Sequence, residues 1–126
     1  MRRSEALHAL KQEFTDDQDL VLLEDQAELS RCSRDAYEYS PVLTPRLSGC
    51  RAELVARPRT VEAVERLASG CARHQVPLTV RGSGTGNYGQ AVPLEGGVVM
   101  LSTEINRIRK LDPESGVVCV EPGCLM

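Results

Sequence analysis

The stretch Arg81-Gly82-Ser83-Gly84-Thr85-Gly86-Asn87-Tyr88-Gly89-Gln90 decides how the chain is read. It follows a short apolar run, Leu78 to Val80, with the character of a strand. Six of the ten glycines, Gly82, Gly84, Gly86, Gly89, Gly96 and Gly97, lie in or just after it. Glycine loses more conformational freedom on folding than any other residue, so this density marks backbone that turns sharply or approaches something closely. Successive amides in such a loop converge on an anion, and the Ser83 and Thr85 hydroxyls add donors, which makes a phosphate or pyrophosphate the natural guest. The competing reading is a glycine-rich hairpin that holds nothing; a hairpin needs one or two glycines, not four with two hydroxyls between them.

Gly84, Gly86 and Gly89 also satisfy G-x-G-x-x-G, the dinucleotide fingerprint, which requires a helix to begin at the loop and aim its N-terminus at the pyrophosphate. Pro93, Gly96 and Gly97 follow instead and defeat a helix, and no Gly-Lys-Ser or Gly-Lys-Thr is present for a Walker loop. An anion is therefore expected on loop amides alone, and a nicotinamide-binding Rossmann module is the weaker enzyme reading.

Working outward, Val61, Val64, Leu67, Ala68, Cys71 and Ala72 recur at helical spacing, with Glu62, Glu65, Arg66 and Arg73 off the stripe. Thr60 is placed to cap this helix, and Gln75 and Val76 close it before Pro77. Glu53 to Ala56 before it and Leu78 to Val80 after it read as strands, a strand-helix-strand unit that favours parallel pairing. Val98 to Leu101 is a third strand, and Val117 to Val120 a fourth, beyond a turn at Asp112 to Gly116. Before residue 50, a surface helix from Ser4 carries Leu7, Leu10 and Phe14, and Glu24 to Cys32 is a second short helix. Ser33 to Leu47 reads as an extended loop, since Pro41 and Pro45 remove donors and restrict their neighbours. The expected fold is α/β (α+β): a small, mainly parallel sheet with flanking helices.

With 126 residues, 41% apolar and a net charge of −3, the chain can order one domain and is not of disordered composition. No apolar run exceeds four residues (Leu20 to Leu23 is one), so neither a transmembrane segment nor a secretory signal is expected, and a cytoplasmic location is. Residues 1–50 carry six basic and ten acidic side chains, leaving no dense basic stripe for nucleic acid. No two of Cys32, Cys50, Cys71, Cys119 and Cys124 have zinc-clamp or C-x-x-C spacing; they read as ordinary buried or half-buried thiols, and no metal is expected.

Val76 to Gly86, Ala91-Val92-Pro93-Leu94-Glu95-Gly96-Gly97-Val98-Val99 and Val120-Glu121-Pro122-Gly123 together resemble the FAD-binding domain of the vanillyl-alcohol oxidase and p-cresol methylhydroxylase type. The similarity is greatest to the glycolate oxidase and D-lactate dehydrogenase branch of FAD-linked oxidases. It runs from about Tyr37 to Met126, leaving 1–36 as an N-terminal helical segment. The resemblance implies that Arg81, Gly82, Ser83, Gly84, Thr85, Gly86, Gly89 and Gln90 wrap the FAD pyrophosphate, largely by main-chain amides. It implies that Pro122 and Gly123 form a turn approaching the flavin. Some relatives bind FAD covalently through a His in this loop; the loop here has no His and no Cys, so non-covalent FAD is expected. The family's domain continues for about another hundred residues and is followed by a substrate domain with the catalytic groups. The chain is thus expected to be the N-terminal part of a flavoenzyme acting on a 2-hydroxy acid, truncated inside its FAD domain, and no catalytic residue is named in it. The alternative from another class is a non-catalytic folding unit with weak or no FAD binding, whose unpaired sheet edge invites self-association.

Some residues admit plainer readings. His8 and His74 belong on helix surfaces. Tyr37 and Tyr39 either pack over a cofactor edge or anchor the core, and Glu121 either faces a flavin or ends a strand.

Overall fold

The strongest helical periodicity in the sequence produces the central helix of the fold. In the computed structural model, which describes residues 2–125, the helix spans Val61–His74. The Thr60 hydroxyl accepts a hydrogen bond from the Ala63 amide (3.1 Å), satisfying one of the free first-turn donors. Gln75, in the left-handed conformation at φ 54°, ends the helix and turns the chain into the next strand.

In chain order the elements are α1 (Arg3–Glu13), β1 (Leu20–Leu23), α2 (Gln26–Cys32), a 3-10 turn (Tyr37–Tyr39) and α3 (Leu43–Leu47). Then come β2 (Leu54–Pro58), α4 (Val61–His74), β3 (Leu78–Arg81), β4 (Val98–Leu101), β5 (Ile108–Asp112) and β6 (Val117–Val120). The main sheet has the order β1-β2-β4-β3. β4 pairs in parallel with both neighbours, Leu54 and Leu78 flanking Val98, while β1 runs antiparallel to β2 along the other edge. β5 and β6 form a separate antiparallel pair. The α/β class and the mainly parallel sheet are as expected, with β4 inserted between the two strands that α4 connects.

Helices cover both faces of the sheet, which is why β4 (Val98-Val99-Met100-Leu101) is apolar throughout and buried throughout. One face packs Leu54, Ala56, Val98 and Met100 against Leu10 and Phe14 of the α1 region and Leu67 and Cys71 of α4. The other packs Val55, Val99 and Leu101 against Leu29 and Cys32 of α2. A third cluster joins Tyr37, Leu47 and Val92, so Tyr37 is a core anchor, whereas Tyr39 is exposed. At the α1–α4 seam, Glu13 accepts from Arg73 and lies 3.0 Å from His74 Nε2.

Three local expectations are corrected. The apolar run Leu20 to Leu23, within the segment expected to be helical, is edge strand β1. Ser33 to Leu47 is not an extended loop: it contains the 3-10 turn and α3, where Pro45 sits in the first turn, whose amides have no helical acceptor in any case. Cys119 is exposed on β6, while Cys32 and Cys71 are buried; all five thiols are free. Burial pushes the Cys71 thiol up to about 11. Met126, the last residue of the resembling stretch, lies outside the described residues. No described helix is long and apolar enough to cross a membrane.

Since Leu10 is fully buried in the same core as β2, β4 and α4, Leu10→Ala should destabilise the protein by about 2–5 kcal/mol while unfolding remains a single transition. Urea denaturation followed by circular dichroism tests this; a separate early transition for the N-terminal segment would contradict one shared core.

Candidate cofactor-binding site

The carboxyl ends of β2, β4 and β3 lie at one end of the sheet, and in open α/β sheets this is where ligands bind. Residues 82–97 leave β3 there and return to the start of β4 without forming a helix. The G-x-G-x-x-G pattern therefore lacks the helix that would make it a dinucleotide fingerprint.

In the first part of this loop the backbone donors are unused. Among the described residues, no hydrogen bond takes up the amides of Gly82, Ser83, Gly84, Thr85, Gly86 or Asn87, six in succession. Gly82, Ser83 and Thr85 are exposed, and Gly84, Gly86 and Gly89 are half-buried. Gly84 holds φ at +74°, and a Cβ there would land inside the Arg81 guanidinium, so both conformation and space require glycine. Gln90 is exposed and turns its Oε1 back to accept the Tyr88 amide (3.0 Å), pinning the far end of the loop.

Arg81 is 5% exposed and does not project from the loop. Its guanidinium lies beneath Gly84 and donates to the Arg34 carbonyl. From the other side, the Ala36 amide donates to the Gly86 carbonyl (2.8 Å), so residues 34–36 form the floor of the loop. Asp35 Oδ1 accepts the Tyr37 amide (3.0 Å), while Asp35 Oδ2, Arg81 Nε and the neighbouring Arg57 Nε are buried without partners. Each such atom costs about 1–3 kcal/mol if nothing compensates it, more when charged. The Glu28 carboxyl is held below its ordinary range first by its hydrogen bond with Arg31, then by the charges of Arg31, Arg57 and Arg81. Burial raises the Cys32 thiol despite these cations.

The second expected segment is tied to the first through Ser102, a residue that sequence reasoning did not single out. The Ser102 amide donates to the Arg81 carbonyl (3.0 Å), and its hydroxyl donates to the Pro122 carbonyl (3.4 Å). The Gly123 amide donates to Ile105 (2.8 Å), and a Cβ on Gly123 would run into the Ser102 and Ile105 carbonyls. Arg81, Pro122 and Gly123 thus meet at one end of the sheet, although this depends on pairing that no local pattern encodes. Glu121 directly follows β6, accepting the Arg107 amide (2.8 Å) and pairing with Arg109. That amide bond is the chief cause of its lowered pKa.

Free successive amides, the Ser83 and Thr85 hydroxyls and a forced glycine turn over the Arg81 guanidinium are the groups here that could hold an anion. Chemically the residues fit a pyrophosphate. Among the described residues no cluster of His, Cys, Asp and Glu suits a metal ion.

Comparison with known proteins gives the cradle its family. Residues 52–126 match the model of the FAD binding domain, and the chain belongs to this family. The chain is 34% identical over 96 residues to the glycolate oxidase subunit GlcD of Bacillus subtilis, covering 76% of this chain and 20% of that protein. It is 33% identical over 76 residues to D-lactate dehydrogenase of Anaerostipes hadrus, covering 60% of this chain and 16% of that one. A crystal structure of p-cresol methylhydroxylase with substrate bound superposes with a TM-score of 0.71 at 24% identity, over 96% of this chain and 22% of that chain. The chain spans about a fifth of the length of these relatives.

The tie through residues 102–105 makes a graded prediction. Ser102→Ala should cost about 0.5–1.5 kcal/mol, one hydrogen bond. Gly123→Ala, which must displace two backbone carbonyls, should cost more, about 2–4 kcal/mol. Equal effects in urea melts would show that the close approach at Gly123 carries no constraint.

Proposed function

We propose that this chain holds the pyrophosphate of non-covalently bound FAD on the amides of residues 82–87 and is the flavin-binding part of an oxidoreductase acting on a 2-hydroxy acid of the glycolate or D-lactate kind. The observation that carries the reading is the run of six unpaired amides from Gly82 to Asn87, with the Ser83 and Thr85 hydroxyls beside them. The relatives named for glycolate oxidase and D-lactate dehydrogenase support the substrate class. FAD held there would supply the two-electron oxidation of the hydroxy acid to its 2-oxo acid, which removes the C2 hydrogen and the hydroxyl proton. The chain's own residues bind and orient: residues 82–90 hold the diphosphate, and Pro122 and Gly123 approach the flavin from the turn after β6. No residue of the chain is assigned a catalytic role. Residues 37–126 form the first part of the FAD-binding domain, and the location is cytoplasmic.

A second reading is a non-catalytic folding unit that keeps the loop and binds FAD weakly. It is favoured by exposed apolar residues on the β5–β6 pair, Ile108, Leu111 and Val117, and by Val80 on the free edge of β3. Self-association through that edge belongs to this reading and is measured by sedimentation velocity.

Visible absorption during FAD titration decides between the two readings. Tight uptake, with the flavin spectrum shifted and all of the flavin released by acid precipitation, is expected. Flavin retained on the precipitated chain would sink the non-covalent assignment. No uptake by this chain, with uptake by a longer protein carrying it, would favour the folding unit; no uptake by either would remove FAD altogether.

A further inference from the structure

The backbone cradle leaves two charged side chains without an evident task. Asp35 and Arg81 are 9% and 5% exposed, and both lie on the inner side of the glycine loop. The Arg81 guanidinium fills the space beneath Gly84, and Asp35 Oδ2 lies 3.8 Å from where a Cβ on Gly86 would stand. Arg81 Nε and Asp35 Oδ2 have no partner, although buried polar atoms are satisfied in the large majority of cases. The remaining bonds of both groups go to the floor: Arg81 to the Arg34 carbonyl, Asp35 to the Tyr37 amide. The same floor holds the Gly86 carbonyl through the Ala36 amide. Gly84 therefore rests on the Arg81 guanidinium, while the side chain of Gln90 lies nearest Gly86 with Asp35 beyond it, and both Arg81 and Asp35 are fixed to residues 34–37.

We propose that Asp35 and Arg81 are positioning residues for the cofactor: Arg81 props the loop from beneath at Gly84, Asp35 braces residues 34–37 against the turn at Gly86, and together they preset the amides of residues 82–87 for a pyrophosphate. The inference rests on the FAD reading above. Arg81 acts through the loop and does not itself contact phosphate, because its guanidinium is turned inward and buried. Its charge still favours the dianion above it, since a buried cation is little screened by salt. Asp35 braces residues 34–37 by accepting the Tyr37 amide, and the Ala36 amide in that segment holds the Gly86 carbonyl.

The test titrates FAD, by quenching of flavin fluorescence, into the protein and into Arg81→Lys, Arg81→Met, Asp35→Asn and the Arg81→Met/Asp35→Asn double variant, each at low and high salt. Where this chain alone does not retain FAD, the longer protein carrying it is used. Asp35→Asn and Arg81→Met are each expected to weaken FAD binding at least tenfold, with the double variant close to the weaker single one, as for groups acting as a unit. Arg81→Lys, which keeps the charge but loses the planar fork, is expected to lie between. The dependence of affinity on salt should be the same in Arg81→Met as in the unaltered protein. A flattened salt dependence would make Arg81 a direct phosphate ligand and overturn the positioning role, and so would losses that simply add. If Arg81→Met fails to fold, the near-isosteric Asp35→Asn decides: unchanged FAD affinity in that variant, with an unchanged melting temperature, overturns the inference while leaving the FAD reading intact. Failure of the unaltered protein to bind FAD in either form overturns both.

Discussion

The parallel pairing of β4 with both β2 and β3 is the constraint from which the candidate site follows. A strand that enters between two others, parallel to both, requires its connection to travel the full height of the sheet. Here the connection from β3 does so without a helix, so the backbone donors of its first part, residues 82–87, find no partners within their own segment. At the lower end the return is fixed by Glu53, which accepts the Gly97 amide (2.7 Å), and by the Gly97 carbonyl, which accepts from Glu53 and Leu54. At the upper end nothing comparable takes up residues 82–87. The amides available to an anion result from the topology as much as from the glycines.

What the sequence made legible was what local physics determines. The helical spacing and the cap at Thr60 define α4, but its buried face is Ala63, Leu67, Gly70 and Cys71, with Val64 half-buried; Val61, Ala68 and Ala72 of the expected stripe are exposed, since the face is set by what the helix packs against. β4 was visible as a continuous apolar run bounded by glycine, the pattern of a strand covered on both faces. β1 was not, since four apolar residues carry no periodicity that separates strand from helix; its state is set by pairing with β2, in which Leu20 lies opposite Pro58. The same pairing extends β2 to Pro58, two residues beyond the strand expected to end at Ala56. Pro45 misled in the opposite direction, because a proline excluded from helix interiors is tolerated in the first turn.

The site divides in the same way. Glycine density and the hydroxyls of Ser83 and Thr85 announce a backbone cradle without any knowledge of the fold. Ser102 carries no such signal: it matters because β4 delivers it between Arg81 and Pro122, and that is a tertiary fact. Asp35 is likewise silent in the sequence, one carboxylate in an acidic N-terminal half, until the fold sets residues 34–36 beneath the loop. Arg81 is the instructive case. At the head of a phosphate-type loop an arginine reads as a ligand, yet it is the last residue of β3. Side chains alternate between the faces of a strand, and at this position the face is the covered one.

An anion held by main-chain donors makes the site indifferent to most side chains of the loop and dependent on whatever shapes its backbone. Two kinds of residue shape it here: glycines at which a Cβ has no room, and buried groups that occupy that room. Gly84 and Arg81 are two halves of one such constraint, because the space denied to a methyl group at residue 84 is the space filled by the guanidinium. Enlarging the first residue and removing the second therefore perturb the same contact from opposite sides. A loop of this kind is shaped from beneath, and residues 34–37, which precede the family-matched segment 52–126, hold its Gly86 carbonyl and the Arg81 guanidinium.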